Sequence, residues 1–195
     1  MSTAPDRKLH SWPDRAFWRG FAMRLWIGFF LTFAVLGGWL ATMPAARRDA
    51  ILGYWARVRV PAPSFHLEPL TAMPMTVQIH VGGAVLALAV GAIIFLLPKG
   101  TGFHRLLGWS WVSAMVVVAV TSVLMIADFG TGINALHVFT AVTVLSLWGG
   151  LAGIRRGNVS MHAGSMTGLY VGGLIIAGVF AFIPGRMMWN VVFGG

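Results

Sequence analysis

Five long stretches of this chain contain no Asp, Glu, Lys or Arg: residues 25–46, 69–98, 106–127, 129–154 and 157–185. Each reaches or exceeds the roughly 20 apolar residues that a helix needs to cross a bilayer. The whole chain is 10% charged, against about 25% in a soluble domain. The stretches lack the apolar–polar alternation of a barrel strand, and in lipid only a helix otherwise satisfies its own backbone. The sequence therefore predicts an all-α integral membrane protein with five transmembrane helices in a lipid bilayer.

Proline, glycine and basic residues punctuate these stretches at Pro98-Lys99-Gly100, Arg155-Arg156-Gly157 and Pro184-Gly185. The expected organisation begins with a cytoplasmic N-terminal segment, 1–22, carrying a short interfacial helix near 12–20. A first transmembrane helix follows at 23–44, then an extracytoplasmic loop, 45–71, with a short amphipathic helix ended by Pro61 and Pro63. A four-helix unit occupies 72–185, with helices at 72–98, 102–127, 132–155 and 159–183, and a tail covers 186–195. Turns of a few residues force antiparallel neighbours, so this unit is expected as an up-down four-helix bundle of two similar hairpins.

Arg7, Lys8, Arg15, Arg19 and Arg24 precede the first apolar run, as in a signal peptide. That run of about 19 residues exceeds the roughly 7–15 of a signal core, so a retained helix is expected. With the N-terminus inside, Lys99, Arg105, Arg155 and Arg156 also fall inside and the turn between the third and fourth helices has no basic residue. Arg47, Arg48, Arg57 and Arg59 in the long loop count against that orientation. The net charge of +9 sits at helix ends and in loops. It fits topology and anionic lipid, not nucleic acid. The chain has no cysteine, which excludes disulfides, thiolate-held iron–sulfur clusters and covalent haem attachment.

A histidine pattern occurs twice. Ile79-His80-Val81 leads to Lys99-Gly100 and then His104; Leu136-His137-Val138 leads to Arg156-Gly157 and then His162. At about 1.5 Å per residue, the run from His80 to Pro98 spans roughly 27 Å. In the bundle, His80 therefore pairs with His137 near one face and His104 with His162 near the other. Such a separation excludes one four-histidine site. Each pair offers two imidazoles and little else, whereas bound zinc or copper needs three or four protein donors. Haem brings four donors of its own and needs two axial imidazoles. The other reading is four membrane histidines satisfied by hydroxyls or carbonyls. Four polar groups at two matched depths in a duplicated frame favour function.

Further residues follow from the haem reading. Arg105, Lys99, Arg155 and Arg156 inside, and Arg186 outside, are candidate partners for haem propionates, because Arg grips carboxylates through a two-pronged fork. Lipid phosphate is the plainer partner for each. Trp109, Trp111 and Tyr170 are candidate lining of the inner site, or belt and packing aromatics. Glycines such as Gly83, Gly91, Gly150 and Gly173 admit a flat macrocycle, or equally serve close helix packing.

The run Pro98-Lys99-Gly100-x-x-x-His104-Arg105-x-x-Gly108-Trp109, with His137, Arg156-Gly157-Asn158 before His162, Tyr170 and Pro184-Gly185-Arg186, resembles a family of small bacterial predicted membrane proteins classed as a domain of unknown function. The resemblance covers roughly residues 75–190. It implies a multi-pass protein of the bacterial inner membrane and no particular activity. The histidine layout is also similar to the four-helix, two-haem core of cytochrome b-561. That likeness implies two haem b groups, one clamped by His80 and His137 and the other by His104 and His162. The chain departs from cytochrome b-561 in its five expected spans and in lacking an ascorbate-site motif, which leaves the donor open.

The expected function is a membrane b-type cytochrome moving electrons across or within the bilayer, with quinol, a redox partner subunit or a small oxidant as its partner. An alternative is a non-catalytic accessory or assembly subunit of a larger membrane complex, or a homodimer. A small histidine-dependent transporter is a third reading, weakened because no acidic residue lies inside the expected spans.

Overall fold

The computed structural model describes residues 15–129 and 137–194. Secondary structure among the described residues is helical, with no strands. α1, Arg15–Ala41, is continuous, where the sequence suggested an interfacial helix near 12–20 and a separate start at 23. No Pro interrupts this stretch, and a lone interior Gly20 costs about 1 kcal/mol without ending a helix. Residues 12–14 lie outside the described residues.

Pro44 opens α2, Ala45–Arg57, in the loop where a short amphipathic helix was expected. The chain then runs without regular structure through Pro61 and Pro63 to α3, Glu68–Thr71. Along that run, Ser64 N donates to Val192 O and His66 N to Val191 O, both at 2.8 Å. These bonds clasp it to α9, Met187–Phe193.

α4, Met75–Leu96, starts after Pro74 and stops before Leu97, whose φ of −99° and ψ of 157° are extended. Pro98 imposes that shape on the residue before it. The end of the helix is closed by Lys99, whose Nζ donates to the carbonyls of Ile94 at 2.8 Å, Phe95 at 2.9 Å and Leu97 at 2.7 Å. The turn passes Gly100 at φ 78°, and α5, Gly102–Phe129, begins. Thr101 Oγ1 accepts from His104 N at 3.0 Å and so caps its first turn.

α6 is described from His137 to Arg155; its expected start near 132 falls among residues 130–136, outside the described residues. It ends at Gly157, φ 73°. There Asn158 N donates to Gly153 O at 2.9 Å and Gly157 N to Ile154 O at 3.1 Å, the left-handed glycine cap of a helix end. Asn158 Oδ1 at once accepts from Met161 N at 2.9 Å and starts α7, Val159–Leu169. α7 continues into a π-helical segment, Tyr170–Ile176, and α8, Ala177–Ala181.

Among the described residues, three helices are long and apolar enough to cross a membrane: Met75–Leu96, Gly102–Met125 and Val159–Ala181. The apolar part of α6, Phe139–Arg155, is shorter. α4 packs chiefly on α5 and α6 chiefly on α7, giving two hairpins that meet along α5 and α6. The π-helical segment touches α1, α4 and α6. The core between the hairpins contains Ala87, Trp111, Met115, Leu147, Leu169 and Tyr170. The outward faces are apolar too: Trp26 is 74% exposed, Leu145 69% and Trp148 75%. A surface of that kind faces lipid tails, not water.

A tight approach between buried groups lies in the last third of α4. A Cβ on Gly91 would collide with the Tyr170 ring and lie 2.9 Å from Trp111 Nε1. Phe95 meets the Tyr170 ring edge-on at 4.8 Å, and Phe21 of α1 meets Phe95 at 5.3 Å. These aromatic contacts, with Gly28 against Ile176, hold α1 to the hairpins.

Candidate functional site

Residues seven and eleven apart share a helix face, since 3.6 residues make a turn. His80 therefore stands in line with the buried Ala87 and Gly91 on α4, and His104 with the buried Trp111 on α5. Both histidines turn toward the packed interior and not toward lipid.

His80 Nδ1 is 3.1 Å from Val118 O and 3.1 Å from Thr121 Oγ1 of α5. Near the other end, His162 Nδ1 is 3.0 Å from Gly150 O of α6. A carbonyl can only accept, so in both rings Nδ1 carries the proton. Nε2 then keeps its lone pair, and no hydrogen bond engages it among the described residues. Gly150 and Gly153 make the second contact feasible. The backbone of α6 there lies against Met166, Met161 and His162 N, and a Cβ at Gly150 would have to displace the end of the Met166 side chain.

His80 lines a cavity of about 210 Å³. Its wall includes Ser122, Thr140, Thr143, Gly173 and Arg186. Ser122 Oγ and Thr140 Oγ1 are 2.7 Å apart and join α5 to α6. His80 and Arg186, both singled out from sequence, thus meet at one cavity. His137 begins α6, and its side chain lies outside the described residues.

At the opposite end, His104 lies within electrostatic range of His162 and of Lys99. Its Nδ1 is buried, with no hydrogen-bond partner among the described residues. Lys99 is occupied as a helix cap, with three carbonyls about its ammonium. Burial pushes its pKa below the ordinary lysine value. Arg105, Arg155 and Arg156 are exposed around this end.

The aromatic candidates separate. Trp109 is 59% exposed, on the lipid side of α5. Trp111 and Tyr170 are buried together at Gly91, between the two histidine levels. Trp111 Nε1 has no hydrogen-bond partner among the described residues, whereas the Tyr170 hydroxyl has one in the backbone of α4. Thr121, Ser122, Thr140 and the Gly150 carbonyl escaped the sequence reading. A hydroxyl in a membrane helix was the available signal for the first three.

Among the described residues, no three His, Asp or Glu stand close enough together to hold a metal ion by themselves. Residues 77–193 match the family described as "Predicted membrane protein (DUF2306)". No curated protein and no solved structure matches the chain.

Proposed function

The chain belongs to the DUF2306 family of predicted membrane proteins, and we propose that within it this protein is a b-type cytochrome that binds two haems through paired histidines and moves electrons across or within the membrane. The observation that carries this reading is the state of two rings. His80 and His162 each give the Nδ1 proton to a main-chain carbonyl and keep the Nε2 lone pair unused. A histidine that ligates a metal is held in that way by its second nitrogen.

The residues fit the group at the level of donors. His80 with His137 would hold one haem, and His104 with His162 the other. Arg186 stands at the His80 cavity, and Arg105 follows His104 directly. Either can take a propionate through its guanidinium. The cavity at His80 is below the roughly 300–1,000 Å³ of an ordinary ligand pocket, so the fit rests on donors and on the small wall residues Gly173, Ala177 and Ala181. When bound, haem b supplies a one-electron couple. The chain's own residues orient the imidazoles, exclude water with an aliphatic and aromatic core, and place cations at the two ends. Two levels of ligand along one pair of hairpins suit electron passage between membrane faces, with quinol, a partner subunit or a small oxidant as partner.

The full chain, purified in detergent, is tested by an oxidised-minus-reduced visible spectrum with haem counted per chain. Sharp α-bands and about two b haems per chain are expected. A colourless protein, after expression with ample haem, overturns the reading.

A further inference from the structure

We propose that Thr121 is a positioning residue that holds the His80 ring in one orientation, with the Nε2 lone pair turned to the cavity shared with Arg186. The proposal deepens the haem reading and rests on it only for the identity of the ligand that Nε2 would meet.

With the Nδ1 proton of His80 given to Val118 O, the hydrogen bonds around Thr121 are all satisfied together. Its Oγ1 is 2.7 Å from Val117 O and 3.1 Å from Val118 O. Both carbonyls accept, so the hydroxyl proton is committed to the turn of α5 preceding it. The oxygen therefore has only lone pairs left for His80 Nδ1, at 3.1 Å. Thr121 is buried, 5% exposed. Val118 O accepts from the same Nδ1 at 3.1 Å. The proton on Nδ1 thus faces two acceptors and no donor. Val118 O opposes the tautomer with the proton on Nε2, because its Nδ1 lone pair would face a carbonyl oxygen that can only accept.

The two ends of the molecule differ in this respect. His162 is held by a main-chain carbonyl alone, which no side-chain change removes. His80 is held in part by a side chain, so its orientation can be altered by substitution. A lone pair fixed toward a cavity takes an electron-pair acceptor, and the metal centre of a haem is the class that the histidine pairing favours. Outer partners of ligating histidines typically contribute about 10- to 100-fold in metal affinity.

The test uses the full chain with ¹⁵N-labelled histidine, first without haem and then titrated with ferric haem b. Wild-type His80 is expected to show a protonated Nδ1 and an unprotonated Nε2. Thr121→Val keeps the bulk and loses the hydroxyl, leaving Val118 O as sole acceptor. It should shift the Nδ1–H signal, since one of two acceptors is lost while Val118 O keeps the tautomer, and weaken haem uptake at one site about tenfold. Thr121→Ser should restore both. Thr121→Ala serves as the second variant should the valine form fail to fold. An unchanged Nδ1–H signal and unchanged uptake in the folded valine or alanine protein overturn the proposal. A wild-type chain that takes up no haem overturns the cytochrome reading, while the Nδ1–H signal still decides the role of Thr121.

Discussion

The Tyr170 hydroxyl donates to the Leu88 carbonyl at 3.1 Å, joining the π-helical segment to the middle of α4. The bond is reachable because Gly91, one turn along α4, has no Cβ to hold the tyrosine ring away. A π-helical turn inserts one extra residue into the helix and changes which side chains follow in line. Tyr170 stands where that change begins.

Gly91→Ala should destabilise the protein by about 1–3 kcal/mol, the range for overpacking a tight core. The added methyl has backbone on one side and two buried rings on the other. A lowered denaturation midpoint in detergent, with Gly82→Ala unchanged as the control in open space, checks this.

Tyr170→Phe removes one hydrogen bond and keeps the ring against Phe95. The expected loss is about 0.5–1.5 kcal/mol, since Leu88 O keeps its place in the helix ladder. Tyr170→Leu should cost more because the edge-on contact with Phe95 goes too. Equal midpoints for the two variants would show that the ring contact contributes nothing.

Under the cytochrome reading, His80→Ala and His137→Ala should each remove the same one of two haems. His104→Ala and His162→Ala should each remove the other. Spectra and haem counts of the four variants decide it, and a crossed pattern such as His80 with His104 breaks the pairing.

Asn158→Ala should cost about 1 kcal/mol, because it strips the side-chain acceptor from the first turn of α7. Asn158→Ser should recover most of that loss. Denaturation of both variants beside wild type measures it.

Lys99 carries a pH dependence. Its folded-state pKa is lowered by burial, so between that value and the unfolded lysine value near 10.4 the unfolded chain binds more protons than the folded one. This group's contribution to stability therefore rises as pH climbs through that window. Lys99→Met should flatten the slope and also weaken the protein at neutral pH, by stripping three carbonyls of their donor. An identical pH profile in wild type and variant would contradict the assignment.

Much of the architecture was legible where one residue dictates local geometry. Pro98 stops α4 within two residues of the expected end, and Gly157-Asn158 closes one helix and opens the next. The inward facing of His80 and His104 was implied by their helical lines. The π-helical segment was not legible, since Tyr170–Ile176 is as apolar as any membrane helix and its extra residue arises from packing on three neighbours. Thr121 was equally hidden. Its meeting with His80 depends on the relative height of α4 and α5, which the turn between them sets only after folding. The separation of Trp109 from Trp111 followed from helix phase, yet proximity to His104 in the sequence suggested grouping them.

The clasp between residues 64–66 and α9 has a kinetic consequence during synthesis. Its acceptors, Val191 O and Val192 O, follow α4 to α8 in the chain. A nascent chain can thread those helices into the bilayer and still lack this closure. The loop ahead of α4 therefore stays open until α9, which is synthesised after α8, comes back to meet it.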